Sequence, residues 1–70
     1  MSIITSPMAG TVARVLVEQG DMVQAGQDVI ILESMKMEIA VQAELSGRVR
    51  AVQVSVGEFV DEGSGLLELE

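Results

Sequence analysis

One residue of this chain carries a primary amine on its side chain: Lys36, inside the run Glu33-Ser34-Met35-Lys36-Met37-Glu38. A lysine amine can serve as a base, form a Schiff base, or be acylated. The first two need the neutral amine, which burial or a neighbouring cation must favour. Glu33 and Glu38 flank the residue instead and favour the charged form. Lys36 therefore reads as a substrate, deprotonated in another enzyme's active site, rather than as a catalytic group. Met35 and Met37 stand where turn chemistry favours Asn, Asp or Gly. Exposed methionines form an adaptable apolar surface for a partner, and packing of one of them into the core is the competing expectation. A turn lysine in most proteins only aids solubility. Its uniqueness and its methionine neighbours set this one apart.

Composition narrows the remaining chemistry. The 70 residues suffice for one small domain. Without cysteine or histidine, disulfides, thiolate catalysis, histidine acid–base chemistry and most zinc sites are excluded, so no catalytic or metal-ligating residues are expected. Val, Ile and Leu number 22, of which 16 are β-branched Val or Ile, and this favours strands. One aromatic side chain and a net charge of −7 argue against nucleic acid and anionic membranes as partners. Arg14, Arg48 and Arg50 are expected on exposed strand positions, neutralising nearby carboxylates. No apolar run reaches membrane-spanning length and no signal-peptide pattern opens the sequence. The reading is an acidic, soluble, cytoplasmic β domain that leans monomeric.

The elements that would position Lys36 come as two copies of one segment. Residues 7–33 and 44–70 align without gaps at an offset of 37 and match at nine positions, from Gly10/Gly47 and Val12/Val49 to Leu32/Leu69 and Glu33/Glu70. Chance would give roughly two or three matches in such a biased composition. Each copy holds G-x-V-x-x-V-x-V, a strand whose alternation slips once between the first two valines, which predicts a bulge. Next comes G-[DE]-x-V-x-x-G, whose glycines permit turns with positive φ. Val29–Glu33 and Leu66–Glu70 close each unit, and the same offset makes Ser2–Ser6 equivalent to Ile39–Ala43.

The expected organisation is a single domain over 1–70, with repeats 1–33 and 38–70 joined by a tight hairpin at 34–37. The fold class is all-β: a flattened β-barrel or sandwich (a barrel-sandwich hybrid) of two quasi-twofold-related four-stranded halves packing their apolar faces together. Lys36 then stands at a protruding tip. The chain termini lie together at the other end. Alternation along the strand makes a one-residue shift of the lysine re-aim its amine.

At these residues the sequence resembles the biotinyl/lipoyl attachment domains, in particular the biotin carrier domains of biotin-dependent carboxylases. Their Met-Lys-Met motif, usually preceded by Glu-Ala, corresponds to Met35-Lys36-Met37 after Glu33-Ser34, with serine for the commoner alanine. Pro7-Met8-Ala9-Gly10, the Gly20-Asp21 turn and the repeated second half extend the likeness over the whole chain. The resemblance implies a carrier rather than an enzyme. A biotin protein ligase would join biotin to Lys36, with Met35 and Met37 as recognition contacts and Glu33 and Glu38 as flanking ones. The domain would shuttle carboxybiotin between a biotin carboxylase and a carboxyltransferase. The carriers of bacterial acetyl-CoA carboxylase usually carry an inserted thumb in the first half, and the gapless repeat leaves no room for one.

Two alternatives share the fold. A lipoyl carrier of a 2-oxoacid dehydrogenase or glycine-cleavage system usually presents Asp-Lys-Ala, from which Met35 and Met37 depart. An unmodified structural sandwich module would not need a lysine at the tip.

Overall fold

The computed structural model describes residues 2–70 and contains eight strands and no helix among them. They are β1 (Ser2–Thr5), β2 (Gly10–Val15), β3 (Met22–Val23), β4 (Asp28–Ser34), β5 (Met37–Gln42), β6 (Gly47–Val52), β7 (Phe59–Val60) and β8 (Gly65–Leu69). They form two four-stranded antiparallel sheets, ordered β1-β8-β6-β3 and β5-β4-β2-β7. Shifting β1–β4 onto β5–β8 converts one order into the other, so the quasi-twofold of the sequence relates the two sheets. The all-β architecture of two related four-stranded halves is as the repeat predicts.

The halves do not, however, pack as separate layers. Each sheet draws two strands from each half. The chain changes sheet at every connection except one, the step from β4 to β5. Alternating apolar residues give each strand one face to bury, and the exchange lets each half cover the other. The result is visible residue by residue. Ile4, Val12, Val17, Val23, Val29, Ile30 and Leu32 are buried, and so are their counterparts Val41, Val49, Val54, Val60, Leu66, Leu67 and Leu69. Buried Ala43 is matched by buried Ser6, whose hydroxyl donates to the Met8 carbonyl at 2.6 Å.

The slip in the valine spacing is a bulge in both copies. Val12 pairs with Leu32 and Arg14 with Ile31, leaving Ala13 as the extra residue. Val49 pairs with Leu69 and Ala51 with Glu68, leaving Arg50 extra. An inserted residue restores the facing of the later valines. The paired turns are equally alike. Asp21 N–H donates to the Glu18 carbonyl at 3.0 Å around Gly20 at φ +95°, and Glu58 N–H to the Ser55 carbonyl at 3.1 Å around Gly57 at φ +93°. Positive φ at the third position marks a type II turn. Each turn is stitched to the opposite half, since Gly20 N–H donates to Val49 O and Gly57 N–H to Val12 O, both at 2.8 Å.

Pairing of Ser2 with Leu69 brings the two ends of the chain together, in the sheet that does not hold the β4–β5 connection. No helix among the described residues is long and apolar enough to cross a membrane.

A Cβ at Gly20 or Gly57 would meet nothing within 4 Å, so substitution there is opposed by backbone conformation alone. Gly20→Ala and Gly57→Ala are each expected to cost about 1–3 kcal/mol, by similar amounts, in urea unfolding. A loss at only one of the two positions would show that the turns are not equivalent.

Candidate functional site

The β4–β5 step is the one place among the described residues where consecutive strands pair with each other. Ser34 pairs with Met37, so the four-residue connection expected from the repeat is a two-residue loop, Met35-Lys36, between paired flanks. Both loop residues have positive φ, 53° at Met35 and 66° at Lys36. That is the signature of a type I′ turn, whose twist matches that of the flanking strands and which usually takes Asn-Gly. Met35 and Lys36 are also the only non-glycine residues with positive φ among those described. Neither is suited to that conformation, which costs such residues on the order of 1 kcal/mol or more each.

Three side chains stand in the open at this turn. Met35 is 92% exposed and Met37 64%, so neither fills the core, against the competing expectation. Lys36 is exposed and makes no ion pair or hydrogen bond among the described residues. It lies in the turn rather than on a strand, so strand alternation does not aim its amine; the turn backbone does.

Glu33 and Glu38 face each other directly as a cross-strand pair one step below the turn, and both are exposed. Like charges in that relation destabilise a sheet. Arg14, reaching from β2, places Nη2 3.2 Å from Glu38 Oε1 and offsets part of the repulsion. Both partners are more than half exposed, so solvent screens the pair and its worth is about 0–1 kcal/mol. Arg50 pairs with Glu68 at 3.1 Å as expected, whereas Arg48 donates to the Gly20 carbonyl at 3.4 Å rather than to a carboxylate.

Two features close to the tip escaped the sequence reading. Gly10 lies so close to β4 that a Cβ there would sit 3.0 Å from the Glu33 carbonyl oxygen and 3.6 Å from Ser34 Cβ. Its repeat partner Gly47 has 3.5 Å to the equivalent Glu70 oxygen, so the tighter fit belongs to the half that holds the hairpin. The second is Phe59, the one aromatic residue, 63% exposed. It pairs with Thr11, which pairs with Glu33, so the row Glu38-Glu33-Thr11-Phe59 crosses the sheet just below the turn. The only signals were the Gly10/Gly47 match and the uniqueness of the phenylalanine.

A primary amine that is exposed and unpaired among the described residues, on a tight two-residue turn, suits covalent attachment of a carboxylic acid by an external enzyme. Comparison with known proteins agrees with that chemistry. The profile of the family described as "Biotin-requiring enzyme" matches residues 2–69. A Bacillus subtilis "Biotin/lipoyl attachment protein" is 50% identical over 66 residues, spanning 94% of this chain and 90% of that protein. The "Methylcrotonoyl-CoA carboxylase subunit alpha, mitochondrial" of Glycine max is 48% identical over 67 residues, 96% of this chain but 9% of the subunit. Among solved structures, the Kluyveromyces lactis urea carboxylase superimposes with a TM-score of 0.91 at 32% identity, covering 99% of this chain and 6% of that one.

If the turn is strained for the sake of its side chains, then Met35→Asn combined with Lys36→Gly should stabilise the fold, by about 1–2 kcal/mol. A higher thermal midpoint for the double variant is the expected result. An unchanged or lower midpoint would show that the loop is not strained.

Proposed function

The chain belongs to the biotin/lipoyl attachment family, and from that premise we propose that it is a biotin carboxyl carrier with Lys36 as the attachment residue. In this reading it is not itself an enzyme but the cofactor-carrying component of a biotin-dependent carboxylase system. The observation that carries the assignment is the turn: the chain's one lysine occupies a left-handed backbone position that its residue type disfavours, with its amine unpaired and exposed.

The residues present fit a covalently held carboxylic acid. A biotin protein ligase acylates Lys36 Nζ with biotin whose carboxyl group ATP has activated as a mixed anhydride with a phosphate. The amine gives up a proton, the anhydride bond breaks and the nucleotide phosphate leaves as the amide bond forms. Met35 and Met37 supply apolar contacts on either side of the amine, and Glu33 and Glu38 flank them with negative charge. Biotin, when bound, supplies a ureido ring able to accept a carboxyl group at one site and release it at another. This chain contributes the placement. The rigid turn holds the tethered arm at a fixed height, and tethering raises the local concentration of the ring at each catalytic site. The sites belong to a biotin carboxylase and a carboxyltransferase, acting on a monomeric carrier in the cytoplasm, where ATP is available.

The test compares the wild type, Lys36→Arg, and the exchange of Met35→Lys with Lys36→Met, using purified biotin ligase, biotin and ATP. Wild type should gain one biotin per chain by mass. Lys36→Arg should gain none. The exchange keeps an exposed amine but moves it to the other turn position, and should be labelled roughly a hundredfold more slowly or worse. Circular dichroism should report the same fold in all three, because each turn position keeps a long unbranched side chain on the same positive-φ backbone. Efficient labelling of the exchanged variant would mean that the ligase reads exposure alone. Lipoylation instead of biotinylation in the native host would replace the cofactor assignment.

A further inference from the structure

The residues beside Lys36 are also among the groups most open to oxidation in the described part of the chain. With no Cys, His, Trp or Tyr in the sequence, the methionine thioethers are the only side chains that mild two-electron oxidants readily attack. The thioethers differ sharply in access. Met35 is 92% exposed and Met37 64%, while Met8 is half-buried and packed against the core. Met22 is 61% exposed but lies on β3, in the sheet that does not hold the hairpin. The fold thus presents two oxidisable sulfurs directly beside the acceptor amine and a third, similarly exposed, away from it.

We propose that Met35 and Met37 form a reversible oxidation site that gates the modification of Lys36: conversion of either to the sulfoxide blocks attachment, and reduction restores it. The inference rests on the carrier reading, since it takes the two methionines as the apolar contacts of the modifying enzyme. The chemistry is a transfer of one oxygen from a hydroperoxide. The thioether sulfur attacks the outer peroxide oxygen, the O–O bond breaks, the S–O bond forms, and the second oxygen leaves as water once it has taken the proton. Sulfur is oxidised by two electrons and hydrogen peroxide is reduced by two. In the reverse step two thiols of an external reductant are oxidised to a disulfide and the sulfoxide oxygen leaves as water.

Oxidation changes the tip in the way that matters for docking. A flexible apolar side chain becomes a polar, chiral one with a strong acceptor oxygen. A partner surface shaped for two thioethers must then bury that oxygen without a donor, at a cost in affinity. The fold itself should be indifferent, because both sulfurs are outside the core.

The experiment treats the unmodified wild-type chain with graded hydrogen peroxide, maps oxidation at each methionine by peptide mass spectrometry, and then adds purified biotin ligase, biotin and ATP. Met1 lies outside the described residues and is followed separately in the same map. Met35 and Met37 should oxidise well before Met8. In partly oxidised samples, tip peptides carrying both a sulfoxide and biotin should be about tenfold to a hundredfold rarer than chance pairing predicts. Sulfoxide at Met22 should show no such exclusion, and the Met22→Leu variant should lose labelling with peroxide just as wild type does. Methionine sulfoxide reductase should restore labelling. Equal labelling of oxidised and reduced tips, or oxidation of Met8 ahead of Met35 and Met37, would overturn the gate alone. Failure of the reduced chain to take biotin would overturn the carrier reading, and the gate with it.

Discussion

Neither half of this chain can bury its apolar face within its own strands, and everything else in the structure follows from that constraint. Each sheet places two strands of one half between two of the other, so the core closes only when the halves interleave. Alternating valines, isoleucines and leucines then meet across the quasi-twofold, and each buried hydrophobic residue has a buried counterpart. A domain of this size has little core to spare. The chain obtains its rigidity by using the same packing solution twice. Backbone hydrogen bonds from Gly20 to Val49 and from Gly57 to Val12 lock the exchange at both turns.

Interleaving leaves the link between the halves as the one free choice. Every other connection must cross between sheets, whereas β4 and β5 are neighbours and need only a two-residue loop. The symmetry that makes the remainder redundant makes this loop unique. Natural sequences that depart from local preference tend to do so at functional sites, where the surrounding fold supplies the stability that the site gives up. Met35 and Lys36 at positive φ are such a departure from local preference, held by the paired strands below and by the close approach of Gly10 to the base of the hairpin.

Charge contributes little to the fold and more to the character of the tip. The ion pairs seen among the described residues, Arg14–Glu38 and Arg50–Glu68, involve arginines more than half exposed, so solvent screens them. Glu33 facing Glu38 is mildly unfavourable to the sheet and only partly offset by Arg14. The hairpin therefore presents apolar thioethers and a single cation above an acidic base. A partner can recognise that combination by shape and by charge together.

Much of this was legible in the amino-acid order alone. The gapless repeat revealed the quasi-twofold, the slipped valines the two bulges, the paired glycines the positive-φ turns, and the leftover residues between the copies the position of Lys36. These are local or periodic signals, written into spacing. The exchange of strands between sheets was not legible, because a half-buried strand alternates in the same way whichever partner it pairs with. Nor was the turn class of Met35-Lys36, since residue preference argues against it and only the register of Ser34 with Met37 imposes it. The opposition of Glu33 to Glu38, the reach of Arg14 and the fit of Gly10 against Glu33 depend on which backbones lie side by side. Sequence alone determined that one amine would be singled out at a turn. Tertiary structure decided how that amine is held, because pairing between distant strands, not local propensity, sets the backbone from which it projects.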